Sequence, residues 1–135
     1  LGTLARNGQD PGDKAPKIFN VNWFKQDEEG NFLWPGFGDN MRVLDWIIKR
    51  CEGTVDAVET AIGYLPKKED LNLTGIEDEV TPAVLDKLLA VDTDLWKKEI
   101  AEMRRYYTED IAAKGGKVPA ELMAELDKIE ARLNK

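Results

Sequence analysis

Residues 17–40 carry the stretch KIFNVNWFKQDEEGNFLWPGFGDN, which decides how the fold of this chain is interpreted. Apolar and polar residues alternate over 17–24, a pattern that predicts a strand. The face expected to be buried carries Phe19, Val21 and Trp23. The turn QDEEGN and the short apolar run FLW follow, so we expect a β-hairpin over 17–34. The next residues, PGFG, interrupt regular structure, and their glycines permit a ligand to approach the backbone closely.

Aromatic residues are concentrated in this stretch. Five Phe or Trp residues fall between positions 23 and 37, whereas aromatic residues make up only 8% of the whole chain. Planar rings stack on nucleotide bases, which contributes about 1–3 kcal/mol per base in nucleic-acid complexes. An amide such as Asn40, or the free N–H groups at a helix start, can then hydrogen-bond to the edge of the base. Aromatic residues more often pack protein cores, so the residue types alone leave both interpretations open.

The rest of the chain has the apolar spacing of helices. The predicted start signals of four helices are, in chain order, Asp39 or Asn40, Thr81-Pro82, Thr93 and Pro119. Gly53 and Gly115-Gly116 are expected to end the first and third helices. The apolar stripes of the last two helices are Trp96, Ile100, Met103, Tyr107 and Ile111, then Leu122, Leu126, Ile129 and Leu133. We therefore expect an α+β fold that is mostly helical, with a small N-terminal β-hairpin.

Composition narrows the function classes. The chain has a net charge of −7, which argues against a nucleic acid or an anionic membrane as a partner. It has no histidine, the commonest general base and metal ligand. The single cysteine, Cys51, indicates a reducing compartment, and its place on the first helical stripe predicts a buried side chain. Acidic runs such as Asp27-Glu28-Glu29 are typical of solvated turns. The residues therefore predict no catalytic group and no metal site.

Several segments resemble the GTP-dependent phosphoenolpyruvate carboxykinase family in order and spacing. They are KIFNVNWF at 17–24, FLWPGFGDN at 32–40 and RVLDW at 42–46, with weaker matches in IGYLP at 62–66 and LNL at 71–73. The resemblance covers roughly residue 17 to the C-terminus, and it is most specific within 17–46. At Asn20 the family often has histidine, which is a departure from its pattern.

The resemblance implies a site for the nucleotide base. Guanine would lie between rings that correspond to Phe24 and Phe37, with Phe32 alongside. The turn Phe37-Gly38-Asp39-Asn40 would contact the base, and Asn40 would help to select guanine. The base-binding residues implied in this way are Phe24, Phe32, Phe37, Gly38, Asp39 and Asn40.

The resemblance also implies an activity and partners. The family converts oxaloacetate and GTP into phosphoenolpyruvate, carbon dioxide and GDP with Mn²⁺ or Mg²⁺. Its phosphate-binding glycine-rich loop and its metal ligands are not visible in this sequence. We therefore expect residues 1–16 to be a linker and 17–135 to be the C-terminal nucleotide-base-binding segment of a larger two-lobed enzyme.

This segment alone is expected to be inactive. Its implied partners are the remainder of the carboxykinase chain and GTP or GDP, in a parent that is monomeric and cytoplasmic. The alternative is a non-enzymatic helical interaction module, since the stripes at 96–111 and 122–133 could bind a partner helix.

Overall fold

The computed structural model describes residues 16–135, which fall into two compact units. The first unit is 17–90, and the described part of the second is Pro16 with 91–135. The elements of the first unit are a 3₁₀ turn Phe37–Asp39, helix α1 (Asn40–Glu52), strands β1 (Val58–Thr60) and β2 (Gly63–Leu65), a 3₁₀ turn Lys68–Asp70 and helix α2 (Pro82–Leu89). The second unit contains helix α3 (Thr93–Arg105) and helix α4 (Ala120–Leu133). Helix α3 continues into a π-helical turn (Tyr106–Asp110) and a short helical turn (Ile111–Ala113).

The mostly helical α+β class with one small hairpin is confirmed, but the hairpin lies elsewhere than predicted. Strands β1 and β2 pair antiparallel, with Val58 opposite Leu65 and Thr60 opposite Gly63. The predicted strand at 17–24 is wrong, because those residues pair with no other strand. Within 17–34 a single bridge joins Gln26 to Phe32, where a two-stranded ladder had been expected.

The alternation in 17–24 nevertheless has a structural cause. Phe19 and Trp23 pack against the core of the first unit and Val21 is partly buried, while Asn20 and Asn22 are exposed. The Phe19 ring meets the ring of Trp46 edge-on, with centroids 6.2 Å apart and an interplanar angle of 88°. The alternation therefore arises because an unpaired segment packs one side on the core. The side-chain pattern alone does not distinguish such a segment from a strand.

The core of the first unit is built largely from loops and one face of α1. Its buried members are Trp34, Trp46, Leu71, Ile76, Val80 and Leu85. Helix α1 contributes Trp46 and, partly buried beside it, Val43 and Ile47. Met41, Leu44 and Ile48 lie exposed; we call these three the outer face of α1. Cys51 is also exposed, so the expectation of a buried cysteine is wrong.

Capping explains where the helices begin and end. Helix α1 ends at Gly53, whose φ of 75° is in the left-handed region that favours glycine. The Thr81 hydroxyl caps α2 by accepting from the Val84 N–H at 3.4 Å. At α3 the cap is Asp92, one residue before the predicted Thr93, and its carboxylate accepts from the Leu95 N–H at 2.9 Å.

In the described part of the second unit, α3 and α4 pack together. Ile100 of α3 and Leu126 and Leu133 of α4 are buried, which confirms the two predicted stripes. Arg104 adds ion pairs to Asp127 at 2.8 Å and Glu130 at 3.0 Å. In the described residues, no helix has the length and apolar character needed to cross a membrane.

Candidate functional site

Three phenylalanine rings of the 17–40 stretch lie at the surface. The exposed fractions of Phe24, Phe32 and Phe37 are 73%, 60% and 92%. Phe24 and Phe32 contact each other edge to face, with centroids 5.8 Å apart and an interplanar angle of 64°. Phe37 makes no contact with another aromatic ring in the part of the chain that the structure describes. These three rings are therefore not core residues, whereas Trp34 of the same cluster is.

A hydrogen-bonded turn positions Phe24 and Phe32. The Asp27 carboxylate accepts from the backbone N–H groups of Glu29 at 2.9 Å and Asn31 at 2.8 Å. The bond from the Asn31 backbone is the main cause that lowers the pKa of Asp27 below its ordinary value. The turn therefore holds its shape through an ionised aspartate, and Phe24 and Phe32 flank it.

Helix α2 anchors this turn by two contacts. Lys25 donates from Nζ to the carbonyl oxygens of Leu88 at 3.2 Å and Ala90 at 3.1 Å, at the C-terminal end of the helix. Glu28 pairs with Lys87 at 2.7 Å. That hydrogen bond lowers the pKa of Glu28 and raises the pKa of Lys87. The first two rings are thus fixed to the helical body of their unit.

A glycine turn presents Phe37. Gly36 has a φ of 127°, a conformation that other residues rarely adopt, and Phe37 begins the 3₁₀ turn directly after it. The Asp39 N–H closes the turn by donating to the Gly36 carbonyl at 3.1 Å. Gly38 differs, because its φ is not positive and a Cβ built on it would meet no atom within 4 Å. Nothing in the described chain therefore requires glycine at position 38.

Asp39 lies at the N-cap of α1 but does not cap the helix. Its carboxylate instead pairs with Arg42 at 2.9 Å, and Arg42 also donates to the carbonyl of Asn72 at 2.8 Å. Asn40, the first residue of α1, provides no cap either. The N–H groups of the first turn of α1 are consequently left without a side-chain acceptor.

Asn40 forms a hydrogen bond that the sequence does not predict. Its side-chain oxygen Oδ1 accepts from the Trp34 indole Nε1–H at 2.9 Å. Trp34 belongs to the aromatic cluster in the sequence, but its role beside Asn40 was missed. In the sequence, the only sign of this bond is the spacing. The Trp34 indole and the Asn40 amide lie six residues apart, on either side of the PGFG turn.

The described residues do not provide a metal site. No group of three or more His, Cys, Asp or Glu side chains within 16–135 is arranged to hold an ion. Among the acidic residues of the 17–40 stretch, Asp27 accepts from the turn backbone, Glu28 pairs with Lys87, and Asp39 pairs with Arg42. The Mn²⁺ or Mg²⁺ implied by the family resemblance therefore does not fit this part of the chain.

Comparison with known proteins identifies the family of the chain. The sequence model of the family described as "Phosphoenolpyruvate carboxykinase C-terminal P-loop domain" matches residues 3–132. Phosphoenolpyruvate carboxykinase [GTP] of Treponema pallidum (strain Nichols) is 47% identical over 99% of this chain. The mitochondrial enzyme of Mus musculus is 44% identical over 98% of it, and the cytosolic enzyme of Gallus gallus is 42% identical over 91%.

These relatives are much longer than the chain itself. The chain spans 20% of the length of the Treponema relative and 19% of each of the two animal relatives. The family match nevertheless covers nearly all of its residues. The chain belongs to the GTP-dependent phosphoenolpyruvate carboxykinase family, as part of its C-terminal P-loop domain.

Proposed function

We propose that this chain is the guanine-binding portion of a GTP-dependent phosphoenolpyruvate carboxykinase. The whole polypeptide would convert oxaloacetate and GTP into phosphoenolpyruvate, GDP and carbon dioxide. The observation that carries the proposal is the exposure of three rings: Phe24 and Phe32, which contact each other, and Phe37, whose turn directly precedes a helix start that no side chain caps. On this basis the chain recognises the base and other parts of the polypeptide perform the chemistry.

The exposed rings support binding of a flat apolar face. Groups of large aromatic side chains are unusual at a protein surface. Where apolar surface is grouped in this way, it often marks a binding site. Phe24 and Phe32 are held by the Asp27 turn, and Phe37 is held by the Gly36 turn. The backbone that presents the rings therefore requires little ordering before a base stacks on them.

Asn40 and the start of α1 provide groups that can read the edge of the base. The amide of Asn40 has both a donor and an acceptor, and a first helical turn that no side chain caps favours an acceptor such as a carbonyl oxygen. The open space at Gly38 would let a base lie directly against the backbone. We assign the base contacts to Phe24, Phe32, Phe37, Gly38, Asp39 and Asn40.

The positively charged residues near the rings support a role for this chain that is limited to binding the base. The cationic residues within 17–42 are Lys17, Lys25 and Arg42. Each donates to a backbone carbonyl, and Arg42 also pairs with Asp39. A triphosphate would therefore gain little attraction here, and we place its phosphates and the Mn²⁺ or Mg²⁺ on the remainder of the polypeptide.

The remainder of the carboxykinase chain is the partner that fits the outer face of α1. Met41, Leu44 and Ile48 line one side of a helix whose opposite side is already packed. About four fifths of the Treponema relative lies outside the segment that matches this chain, which is enough polypeptide to bury that face. We propose a monomeric parent in the cytoplasm. The names of the relatives include both cytosolic and mitochondrial enzymes, so the compartment stays a prediction.

Nucleotide titration of the full-length protein tests the proposal. We expect GTP and GDP to change its tryptophan fluorescence at concentrations where ATP does not, since Trp34 adjoins the proposed base site. The 135-residue chain alone should show neither decarboxylation nor phosphoryl transfer, because its sequence has no phosphate-binding glycine-rich loop and residues 16–135 form no metal-binding cluster. Catalysis by that chain, or equal responses to GTP and ATP in the full-length protein, would refute the proposal.

The packing of α3 and α4 does not favour the alternative of a helical interaction module. That alternative requires their apolar stripes to be available to a partner helix. Ile100, Leu126 and Leu133, at the centres of these stripes, are already buried within their own unit. The central residues of the two stripes are therefore not available to a partner helix.

A further inference from the structure

The bond between Trp34 and Asn40 has a fixed chemical direction. An indole N–H can only donate, so the atom of Asn40 that lies 2.9 Å from Nε1 must be the amide oxygen. The side-chain nitrogen of Asn40 then occupies the other position, and it has no acceptor in the described chain. Trp34 thus determines which end of the amide is available to a ligand.

We infer that Trp34 is a positioning residue for base selection, which acts by holding the Asn40 amide with its NH₂ group available as a donor. The inference rests on the proposed function, since it assumes that a purine lies beside Asn40. Guanine has an oxygen acceptor at its six position, where adenine has an amino donor. A fixed NH₂ donor therefore pairs with guanine and leaves two donors facing each other with adenine.

The position of Trp34 suits it to this task. Its side chain is only 6% exposed and packs in the core of the first unit. Asn40 lies at the start of α1, which is also tied to the loops through Arg42 and Asn72. The hydrogen bond thus connects a rigid core side chain to the proposed reading group. This bond prevents the Asn40 amide from rotating to present its oxygen to adenine.

Trp46 shows that packing in this core does not itself require a bonded indole N–H. Trp46 is 4% exposed and belongs to the same core cluster, but its Nε1 has no hydrogen-bond partner in the described residues. Trp46 is therefore a matched control. Replacing it disturbs the same core without touching Asn40.

The test is the Trp34→Phe substitution in the full-length carboxykinase. We measure kcat/KM for GTP and for ATP, the KM for oxaloacetate and the melting temperature. The GTP-over-ATP ratio should fall about fivefold, as expected for loss of one hydrogen bond that orders a polar group. The KM for oxaloacetate should not change. Trp46→Phe should leave the nucleotide ratio unchanged, whatever it does to the melting temperature.

A double-mutant cycle distinguishes action through Asn40 from a general structural effect. Asn40→Ala should itself lower the ratio, and adding Trp34→Phe to it should lower the ratio no further. An unchanged ratio in Trp34→Phe, or an equal additional fall in the Asn40→Ala background, would overturn the inference. A wild-type enzyme without preference for GTP would instead overturn the proposed function.

A second variant covers the case in which Trp34→Phe does not fold. Incorporation of benzothienylalanine at position 34 keeps the size of the indole and replaces the N–H with sulfur. The same fall in the GTP-over-ATP ratio is expected with a native melting temperature. A native ratio in this variant would show that the N–H of Trp34 does not position Asn40.

Discussion

Removal of the Phe37 ring should separate base binding from folding. The ring is 92% exposed, so Phe37→Ala should change the free energy of unfolding by less than about 0.5 kcal/mol, as at other surface sites. If the ring stacks on guanine, its loss should weaken binding by about 1–3 kcal/mol. Because about 1.4 kcal/mol corresponds to a factor of ten, we expect the KM for GTP to rise roughly 5- to 150-fold.

The assay uses the full-length enzyme under two regimes. GTP is varied at saturating oxaloacetate, oxaloacetate is then varied at saturating GTP, and the melting temperature is recorded for each variant. The matched control is Tyr64→Ala, which removes another exposed ring of the same unit. Tyr64 lies outside the cluster, with the Arg50 guanidinium 6.0 Å from its centroid, so its loss should not change the KM for GTP.

Two results would refute the stacking role of Phe37. One is an equal rise in the KM for GTP and for oxaloacetate, which would indicate a general disturbance of the active enzyme. The other is a fall in melting temperature much larger than that of Tyr64→Ala, which would show that the ring supports the fold. Because the ring is so exposed, the second result would contradict the structure itself.

Three further predictions concern the ion pair between Glu28 and Lys87, the packing of Gly116 and the outer face of α1. Lys87→Met should raise the pKa of Glu28 towards its ordinary 4.5, as measured by NMR titration, because the bond to Lys87 is the chief cause of its lowering. The stabilisation from this pair is present above the ordinary pKa of Glu28 and is lost as the pH falls through the lowered value. Gly116→Ala should destabilise the protein by about 1–3 kcal/mol, since its Cβ would lie 2.5 Å from a methyl of Ile111. Leu44→Ala should destabilise the full-length enzyme by about 2–5 kcal/mol if other parts of the polypeptide bury the outer face of α1.

Each of these predictions has a control within the chain. The pKa of Asp27 should stay low in Lys87→Met, because its main cause is the bond from the Asn31 backbone. Gly38→Ala should leave the melting temperature unchanged, since its Cβ would meet no neighbour within 4 Å. Glu52→Ala tests an exposed charged position of α1 and should have little effect. If Leu44→Ala behaves like Glu52→Ala, the outer face of α1 is not covered by the rest of the polypeptide.

The helices are predictable from the sequence because their signals are local. Apolar spacing, the Thr81-Pro82 start and the Gly53 stop all act within one or two turns, and each is found in the structure. The cap of α3 was misplaced by one residue, since Asp92 and Thr93 are both good caps and only backbone geometry distinguishes them. Cys51 was expected to be buried because an apolar stripe does not show where the packed face of α1 ends.

The position of the hairpin could not be predicted, because strand pairing is not a local signal. A strand requires a distant partner, and alternation in 17–24 arises equally from packing of an unpaired segment on a core. The true strands, β1 and β2, are three residues each. Their turn depends on Gly63, with a φ of 135°, and on the Thr60 hydroxyl, which donates to the Gly63 carbonyl at 2.7 Å. Such short strands have too little pattern to be distinguished from a loop.

For the candidate site, the sequence supplied the residue types, and the structure added which aromatic rings face outward. Trp34 and Phe37 are three residues apart in one aromatic cluster, yet one is buried and the other is almost fully exposed. Gly36, with its positive φ, lies between them, and the bond from Trp34 to Asn40 spans this glycine turn. A buried aromatic residue and an exposed one are therefore both needed. The first orders the amide, and the second offers a face on which a base can stack. Substitution of either one alone should impair nucleotide binding by a different route, through selectivity at Trp34 and through affinity at Phe37.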